Sequence, residues 1–397
     1  MNNRETLYTN QEVFLNLLRV GLWENRSEFQ VSQDSQARMS DQRSSASFGF
    51  QDSVDWSEVY RLASEQCVVG VVLAGIEHSY VKPPQEKLLQ WIGEVQILEQ
   101  QNQAMNQFIA KLIEKLRSSD IYALLLKGQG VAQCYERPLW RASGDVDLFL
   151  SDANYTKAEK LLSPLASSID DEISYAKHKA LTIDEWTVEL HGSLRSGLWR
   201  SLDRVLDKVQ YDVFCGGNVR SWLNGKTQVF MPRADEDVVY VFSHILQHFY
   251  KEGIGLRQIC DWCRMLWKFK DKLDYELLES RIRKAGVMTE WKAFAALAVD
   301  YLGMPSEAMP FYSDDKKWKR KAVRAMEFVL ETGNFGHNRD YSYQKKYPYI
   351  ICKAISFWKH LKDGAFFFSI FPLDSIKVTW RRMAVGVSVV IRGKKHE

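Results

Sequence analysis

The chain has 397 residues, of which 46% are hydrophobic and 26% are charged, and its formal net charge is +3. A chain of this length can bury a large core and is expected to hold two or three folded units. The small net charge makes nucleic acid an unexpected partner. We recognise neither a secretory signal nor a run that could span a bilayer, and the six cysteines are scattered rather than grouped as a disulfide framework. We therefore expect a cytoplasmic protein.

The first 84 residues predict a helical region that a polar insertion interrupts. Apolar side chains recur at helical spacing, and Pro83 and Pro84 separate this region from a long amphipathic helix. The segment at about 27–53 is rich in Ser, Gln, Asp and Arg and has few apolar residues, which indicates a loop or a disordered insertion. Helices are predicted at 9–25, 55–65, 68–76 and 85–118.

From residue 121 the pattern changes to alternating strands and helices. Short apolar runs are bounded by Gly, Pro and acidic turns. The acidic pair Asp184 and Glu185 joins two strands so closely that a hairpin is the natural connection. Strands are predicted at 121–126, 145–150, 175–183, 186–190, 209–214 and 227–231, with short helices at 129–135 and 154–162.

Beyond Pro232 the chain is again helical, up to a basic and apolar tail at 364–397. The tail mixes apolar stretches with Lys and Arg, so a weak contact with an anionic membrane surface is an alternative to ordinary packing. Cys260 and Cys263 form a lone CxxC without a second pair of ligands, which favours buried free thiols over a zinc site. Helices are predicted at 236–250, 256–270, 275–284, 289–301 and 316–331.

Two acidic residues on one predicted strand carry the strongest chemical signal. The strand follows Gly144 and begins Asp-Val-Asp, so Asp145 and Asp147 project from the same face, about 6.5–7 Å apart along it. Neighbouring carboxylates repel each other and must be solvated, protonated or bound to a metal. The apolar residues at 148–150 indicate a strand inside a sheet, which favours a metal site over a solvated strand surface.

A third carboxylate follows on a later predicted strand. Glu189 shares a face with Thr187 and His191, and this strand can lie beside the strand of the two aspartates. Three carboxylates, together with triphosphate oxygens, can hold two Mg²⁺ ions for in-line displacement at phosphorus. Glu189 would then bind the second metal or act as a general base. His191 could ligate metal, orient a phosphate, shuttle a proton or serve a structural role.

The apolar strand before this pair ends in Lys127 and Gly128. Lys127 could pair with a phosphate as a point charge or simply lie in solvent, and Gly128 would let backbone N–H groups approach a triphosphate at a helix N-terminus. Arg141 could contact phosphate or brace the loop before Gly144. Gly144 itself would permit the close approach of another group.

In combination these motifs resemble the polymerase-beta-like nucleotidyltransferase superfamily and, more closely, a bacterial family described only as uncharacterised nucleotidyltransferases. The resemblance covers about residues 85–300. It departs from the superfamily where Gln129 follows Gly128 in place of Ser or Gly, and the spacing from Gly128 to Asp145 is longer than in most members. The positions that match the family motif are Lys127, Gly128, Ala132, Tyr135, Pro138, Arg141, Gly144, Asp145, Asp147, His178, Glu189 and His191 and, in the helical part, His244, His248, Arg257 and Asp261.

The resemblance implies an α+β fold in which a nucleotidyltransferase-fold mixed sheet core is flanked by N-terminal and C-terminal helical regions. The division we expect is a helical region at 1–84, the core at 85–235, a helical domain at 236–363 and the tail at 364–397. The implied ligands are an NTP as donor substrate and Mg²⁺ (or Mn²⁺). For Arg257 and Asp261, the two alternatives are a buried ion pair between helices and a face that closes over the nucleotide.

The function that we favour from the sequence is metal-dependent transfer of NMP from an NTP to an unknown hydroxyl or phosphate acceptor. Asp145, Asp147 and Glu189 would be the catalytic, metal-binding residues, and Lys127, Gly128, Arg141, Gly144 and His191 would bind the nucleotide. The resemblance adds a link to surface-polysaccharide metabolism. Two alternatives stay open, namely a non-catalytic nucleotide-sensing or scaffold module and a toxin-like enzyme that nucleotidylates protein or tRNA.

Overall fold

The structure is a computed structural model that describes residues 3–24, 54–173, 177–217, 219–339, 342 and 346–381. The predicted polar insertion at 27–53 and the tail beyond residue 381 lie outside the described residues, and with the tail lies most of the predicted membrane-surface contact. Within the described ranges, none of the helices combines the length and the apolar character that crossing a membrane requires.

The described chain is mostly helical, with one sheet between two groups of helices. The helices are α1 (Asn3–Leu22), α2 (Trp56–Glu65), α3 (Val69–His78), α4 (Gln85–Arg117), α5 (Gly128–Ala132), α6 (Asp152–Leu162), α7 (Arg200–Cys215), α8 (Ala234–Lys251), α9 (Leu256–Phe269), α10 (Tyr275–Ala285), α11 (Met288–Leu302), α12 (Lys316–Thr332) and α13 (Tyr349–Ile370). The strands are β1 (Ala123–Leu126), β2 (Asp145–Leu150), β3 (Ala166–Ile169), β4 (His178–Ile183), β5 (Trp186–His191), β6 (Val219–Asn224) and β7 (Thr227–Pro232).

The seven strands form one mixed sheet in the order β3-β4-β5-β2-β1-β7-β6. β2 is central: it pairs antiparallel with β1 and parallel with β5. β4 and β5 form the hairpin that the acidic turn predicts. The sheet confirms the α+β class and the two strands that are predicted on either side of Asp184 and Glu185.

The two faces of the sheet are covered by different helices, because both faces carry apolar side chains. One face packs against α4 and α6 around Leu148 and Leu190. The other face packs against helices from both ends of the chain around Leu126 and Phe149. The N-terminal helix is tied directly to the C-terminal helices, since the indole Nε1 of Trp23 donates to the carbonyl oxygen of Leu302 at 2.7 Å.

The structure corrects one predicted strand and adds two that the sequence patterns did not show. Residues 209–214 are not a strand but the last part of α7, because Leu202, Leu206, Val209 and Val213 line one buried face at helical spacing. β3 and β6 are the two edge strands, neither contains a buried side chain, and the apolar residues of β6 do not alternate, so their periodicity is weak. The predicted tail boundary at residue 364 falls inside α13, and residues 372–381 are also helical.

The CxxC segment lies on α9, where Cys260 and Cys263 are both buried free thiols. Burial raises the pKa of each thiol above its ordinary value, so neither is a thiolate at neutral pH. The predicted burial of these two free thiols is confirmed.

Candidate active site

The parallel pairing of β2 and β5 brings the three predicted acidic residues together. In this register Asp147 lies beside Glu189, and Asp145 lies beside Thr187. Carboxylate oxygens of Asp145, Asp147 and Glu189 all lie within 4.8 Å of one another. The predicted placement of the Glu189 strand next to the aspartate strand is therefore confirmed.

Asp147 is the most buried member of this group, with 1% of its surface exposed. Its Oδ1 accepts from the Lys127 ammonium at 2.9 Å and from His191 Nε2 at 2.7 Å, whereas its Oδ2 is buried and has no hydrogen-bond partner among the described residues. A buried carboxylate oxygen without a donor is the kind of atom that a cation completes.

Asp145 adds a second negative charge at the same place. The charge of Asp147, together with burial, raises the pKa of Asp145 above its ordinary value. A divalent cation between the two aspartates would remove this repulsion, and oxygen donors are the ligands that Mg²⁺ prefers. The residues present therefore fit the magnesium that the sequence implied.

Glu189 is held by two imidazoles on its own hairpin. His178 Nε2 lies 3.0 Å and His191 Nε2 lies 3.4 Å from the same carboxylate oxygen of Glu189. Burial alone would raise the pKa of Glu189, but these two contacts and the nearby Lys127 hold it well below its ordinary range. The side chain is therefore ionised at neutral pH, which suits a metal ligand better than a general base.

His178, Glu189 and His191 form a second group whose ligand atoms lie within 4.8 Å of one another. Burial alone would lower the pKa of His191, but its hydrogen bonds to Asp147 and Glu189 raise it. The proton on His191 Nε2 occupies the position that a metal would need. We therefore regard the three carboxylates as the better metal site, with the histidines as their hydrogen-bond donors.

Lys127 and Gly128 form the turn that leads from β1 into α5. Both have positive φ values, 45° and 42°, and a Cβ on Gly128 would lie 3.4 Å from the carbonyl oxygen of Asp145. A lysine in this conformation is strained. Burial alone would lower the pKa of Lys127, but Asp147 and other acidic neighbours raise it, so the turn places a buried ammonium against the carboxylates. The phosphate-binding roles of Lys127 and Gly128 stay predictions.

The loop before Gly144 is fixed by a buried ion pair. Arg141 donates from Nε to Asp261 Oδ1 at 3.0 Å and from Nη2 to Oδ2 at 2.6 Å, and the Tyr135 hydroxyl also donates to Oδ1 at 2.8 Å. These bonds favour the bracing role of Arg141, and its phosphate contact stays a prediction. Gly144 is exposed, and a Cβ there would meet no atom within 4 Å, so space beside it is open.

The C-terminal helices complete a narrow cleft, with a volume of about 40 Å³, above the acidic residues. The predicted buried ion pair of Asp261 exists, but its partner is Arg141. The predicted pairing of Asp261 with Arg257 was therefore wrong. Arg257 instead donates to the carbonyl oxygen of Ala142 at 2.8 Å. His244 lies 2.7 Å from the Lys127 ammonium, and its ring packs against that of His248 with centroids 4.3 Å apart.

Three structural contributors to the site were missed from the sequence. Gln129, at the position where the superfamily has Ser or Gly, is buried and donates to Asn102 Oδ1 at 2.7 Å. Asn102 in turn donates to the carbonyl oxygens of Leu139 and Arg141. Phe335 lies at the cleft, although it follows Asp145 by about 190 residues in the sequence. The buried amide of Asn102 within an amphipathic helix carries a weak sequence signal, whereas Phe335 carries none.

Comparison with known proteins identifies a family for the chain. A profile of the family described as "Uncharacterised nucleotidyltransferase" matches residues 52–303, more than half of the chain. No curated protein and no solved structure matches the chain significantly. The match begins upstream of the predicted core boundary at residue 85 and includes α2 and α3. The chain belongs to the uncharacterised nucleotidyltransferase family.

Proposed function

We propose that the protein is a metal-dependent nucleotidyltransferase with a polymerase-beta-like core. It moves an NMP group from an NTP to a hydroxyl or phosphate acceptor. The observation that carries this proposal is the convergence of Asp145, Asp147 and Glu189 within 4.8 Å on two adjacent strands. The family supports the reaction class, and the carboxylate set supports the dependence on Mg²⁺ or Mn²⁺.

In this reaction the acceptor oxygen forms a bond to the α-phosphorus of the NTP. The bond from that phosphorus to the bridging oxygen of the β-phosphate breaks, pyrophosphate leaves with the electron pair, and the acceptor proton passes to water. Bound Mg²⁺ would neutralise charge on the phosphate oxygens. Asp145, Asp147 and Glu189 would hold this ion.

The chain's own groups would organise the rest of the site. Lys127, whose ammonium lies 2.9 Å from Asp147, can turn toward a phosphate once a metal ion takes over the charge of Asp147. His191 and His178 keep Glu189 ionised and fix its direction, as outer groups commonly do for metal ligands. Gly144 leaves room beside the acidic strand for a substrate.

The test is release of pyrophosphate from NTPs in the presence of Mg²⁺. We expect turnover by the wild type and its loss in Asp145→Asn and Asp147→Asn, because each change removes a metal-binding charge. Asp207→Asn, on an exposed ion pair with Arg195, is the matched control and should retain activity. Persistent turnover in both aspartate variants would refute the assignment.

The acceptor requires a separate experiment. Incubation of cell extract with α-phosphate-labelled NTP should label a small molecule or a saccharide if the protein acts in surface-polysaccharide metabolism. Label on protein or tRNA would instead indicate a toxin-like enzyme. Nucleotide binding without any pyrophosphate release would support the nucleotide-sensing or scaffold alternative.

A further inference from the structure

The two sides of the cleft above the acidic residues differ, because Asp145 and Asp147 lie on one side and Arg257 lies on the other. Asp145 and Asp147 supply the negative side, and the helices α8 and α9 face them from the other side. This opposite side includes His244, Arg257 and Phe335.

Arg257 has no ion-pair partner among the described residues, although the charges of Asp261 and Asp145 partly offset its burial. Its Nη1 donates to the Ala142 carbonyl oxygen at 2.8 Å, but its Nε is buried without a hydrogen-bond partner, and no described carboxylate lies within ion-pair distance. Burial, followed by repulsion from Arg141, lowers the pKa of the guanidinium. The side chain is half-buried, and a buried N–H donor without an acceptor is unfavourable, so this position is suited to receiving an anion.

His244 offers a second unused donor on the same side. Its Nε2 accepts from the Lys127 ammonium at 2.7 Å, so the remaining ring proton must lie on Nδ1. Nδ1 is buried and has no partner among the described residues. Burial and the neighbouring ammonium hold the pKa of His244 well below its ordinary value, so the ring is neutral and keeps this N–H donor.

Phe335 lines the cleft and is exposed to solvent. Its side chain is 43% exposed, the ring centroid lies 4.7 Å from that of His248, and the Arg257 guanidinium lies 5.8 Å from the ring centroid. The backbone of Phe335 has a positive φ of 52°, a conformation that costs roughly 1 kcal/mol or more and is often retained where function requires it. An exposed aromatic ring of this kind can stack on a nucleobase.

We infer that this cleft is the NTP site and that Arg257 and His244 bind the triphosphate while Phe335 stacks on the base. Phosphate oxygens satisfy the unpaired donors, and the same triphosphate, through a divalent cation, meets Asp145 and Asp147. A simple monoanion would meet only Arg257 and His244. This inference rests on the proposed function, since it takes the three carboxylates as the metal site.

Calorimetric titration tests this with two probes in the presence of Mg²⁺: α,β-methylene ATP and inorganic tripolyphosphate. Arg257→Gln should weaken the binding of both probes about tenfold or more, because it removes a charge-assisted contact to phosphate. Phe335→Ala should weaken only the nucleotide. Arg195→Gln, on the exposed ion pair with Asp207, should leave both affinities unchanged.

Thermal unfolding separates ligand binding from a structural role. Because Arg257 has no ion-pair partner among the described residues, its replacement by Gln should lower the melting temperature of the free protein much less than Asp261→Asn does, whereas a structural role requires a comparable loss. If the wild type binds the nucleotide and Arg257→Gln binds it equally well, the inference is wrong and the proposed function stands. If the wild type binds neither probe, the proposed function fails together with the inference.

Discussion

Replacement of Asp261 by Asn should strongly destabilise the protein, because it removes the counterion of the buried Arg141. The structure shows two charged hydrogen bonds from Arg141, at 3.0 and 2.6 Å, and one from the Tyr135 hydroxyl at 2.8 Å. Breaking a buried ion pair by removing one partner costs about 3–5 kcal/mol. Arg257 lies nearby and repels Arg141, so it cannot replace the lost charge.

The free energy of unfolding, measured by urea denaturation with tryptophan fluorescence, checks this value. Asp207→Asn provides the matched control, because its ion pair with Arg195 is exposed and should contribute less than about 1 kcal/mol. The double variant Arg141→Met with Asp261→Leu should recover most of the lost stability, since no charge is left unpaired. A loss for Asp261→Asn no larger than that for Asp207→Asn would refute the reasoning.

Two further predictions concern packing and pH. Gly75→Ala should destabilise the protein by about 1–3 kcal/mol, because a Cβ there would lie 1.9 Å from the carbonyl oxygen of Leu17. Gly93→Ala is the control, because a Cβ there would meet no atom within 4 Å, and it should stabilise the helix by up to about 1 kcal/mol. Urea denaturation compares the two variants, and equal effects would contradict the close contact between Gly75 and Leu17. Burial and the neighbouring Asp374 raise the pKa of Glu290 well above its ordinary value of 4.5, so stability should fall as pH rises above that value. Glu290→Gln should make the free energy of unfolding depend less on pH. Unfolding curves at several pH values measure this dependence, and an unchanged dependence in the variant would contradict the prediction.

The central strands could be predicted because their side chains follow simple rules. Alternation along β2 places Asp145 and Asp147 on one face, and the same rule places Glu189 and His191 on one face of β5. These two strands pair because both are buried and because the short turn between β4 and β5 fixes the position of β5. The acidic half of the candidate site was therefore available from local patterns.

The remaining errors arise where short windows or distant contacts decide the structure. Residues 209–214 alternate well enough to suggest a strand, but the wider window of α7 shows the helical spacing that burial selects. Which arginine pairs with Asp261 depends on a contact between residues 120 positions apart, and local spacing favoured Arg257 over Arg141. Phe335 reaches the cleft through tertiary packing alone.

A crystal structure with Mg²⁺ and α,β-methylene ATP would show which residues hold the metal ion and where the nucleotide binds. We expect a metal ion held by Asp145, Asp147 and Glu189, with the phosphates directed toward Arg257. The described part of the chain also has a groove of about 580 Å³ beside Tyr211, which none of these carboxylates lines. Nucleotide bound in that groove, or a metal ion that contacts none of the three carboxylates, would contradict the account.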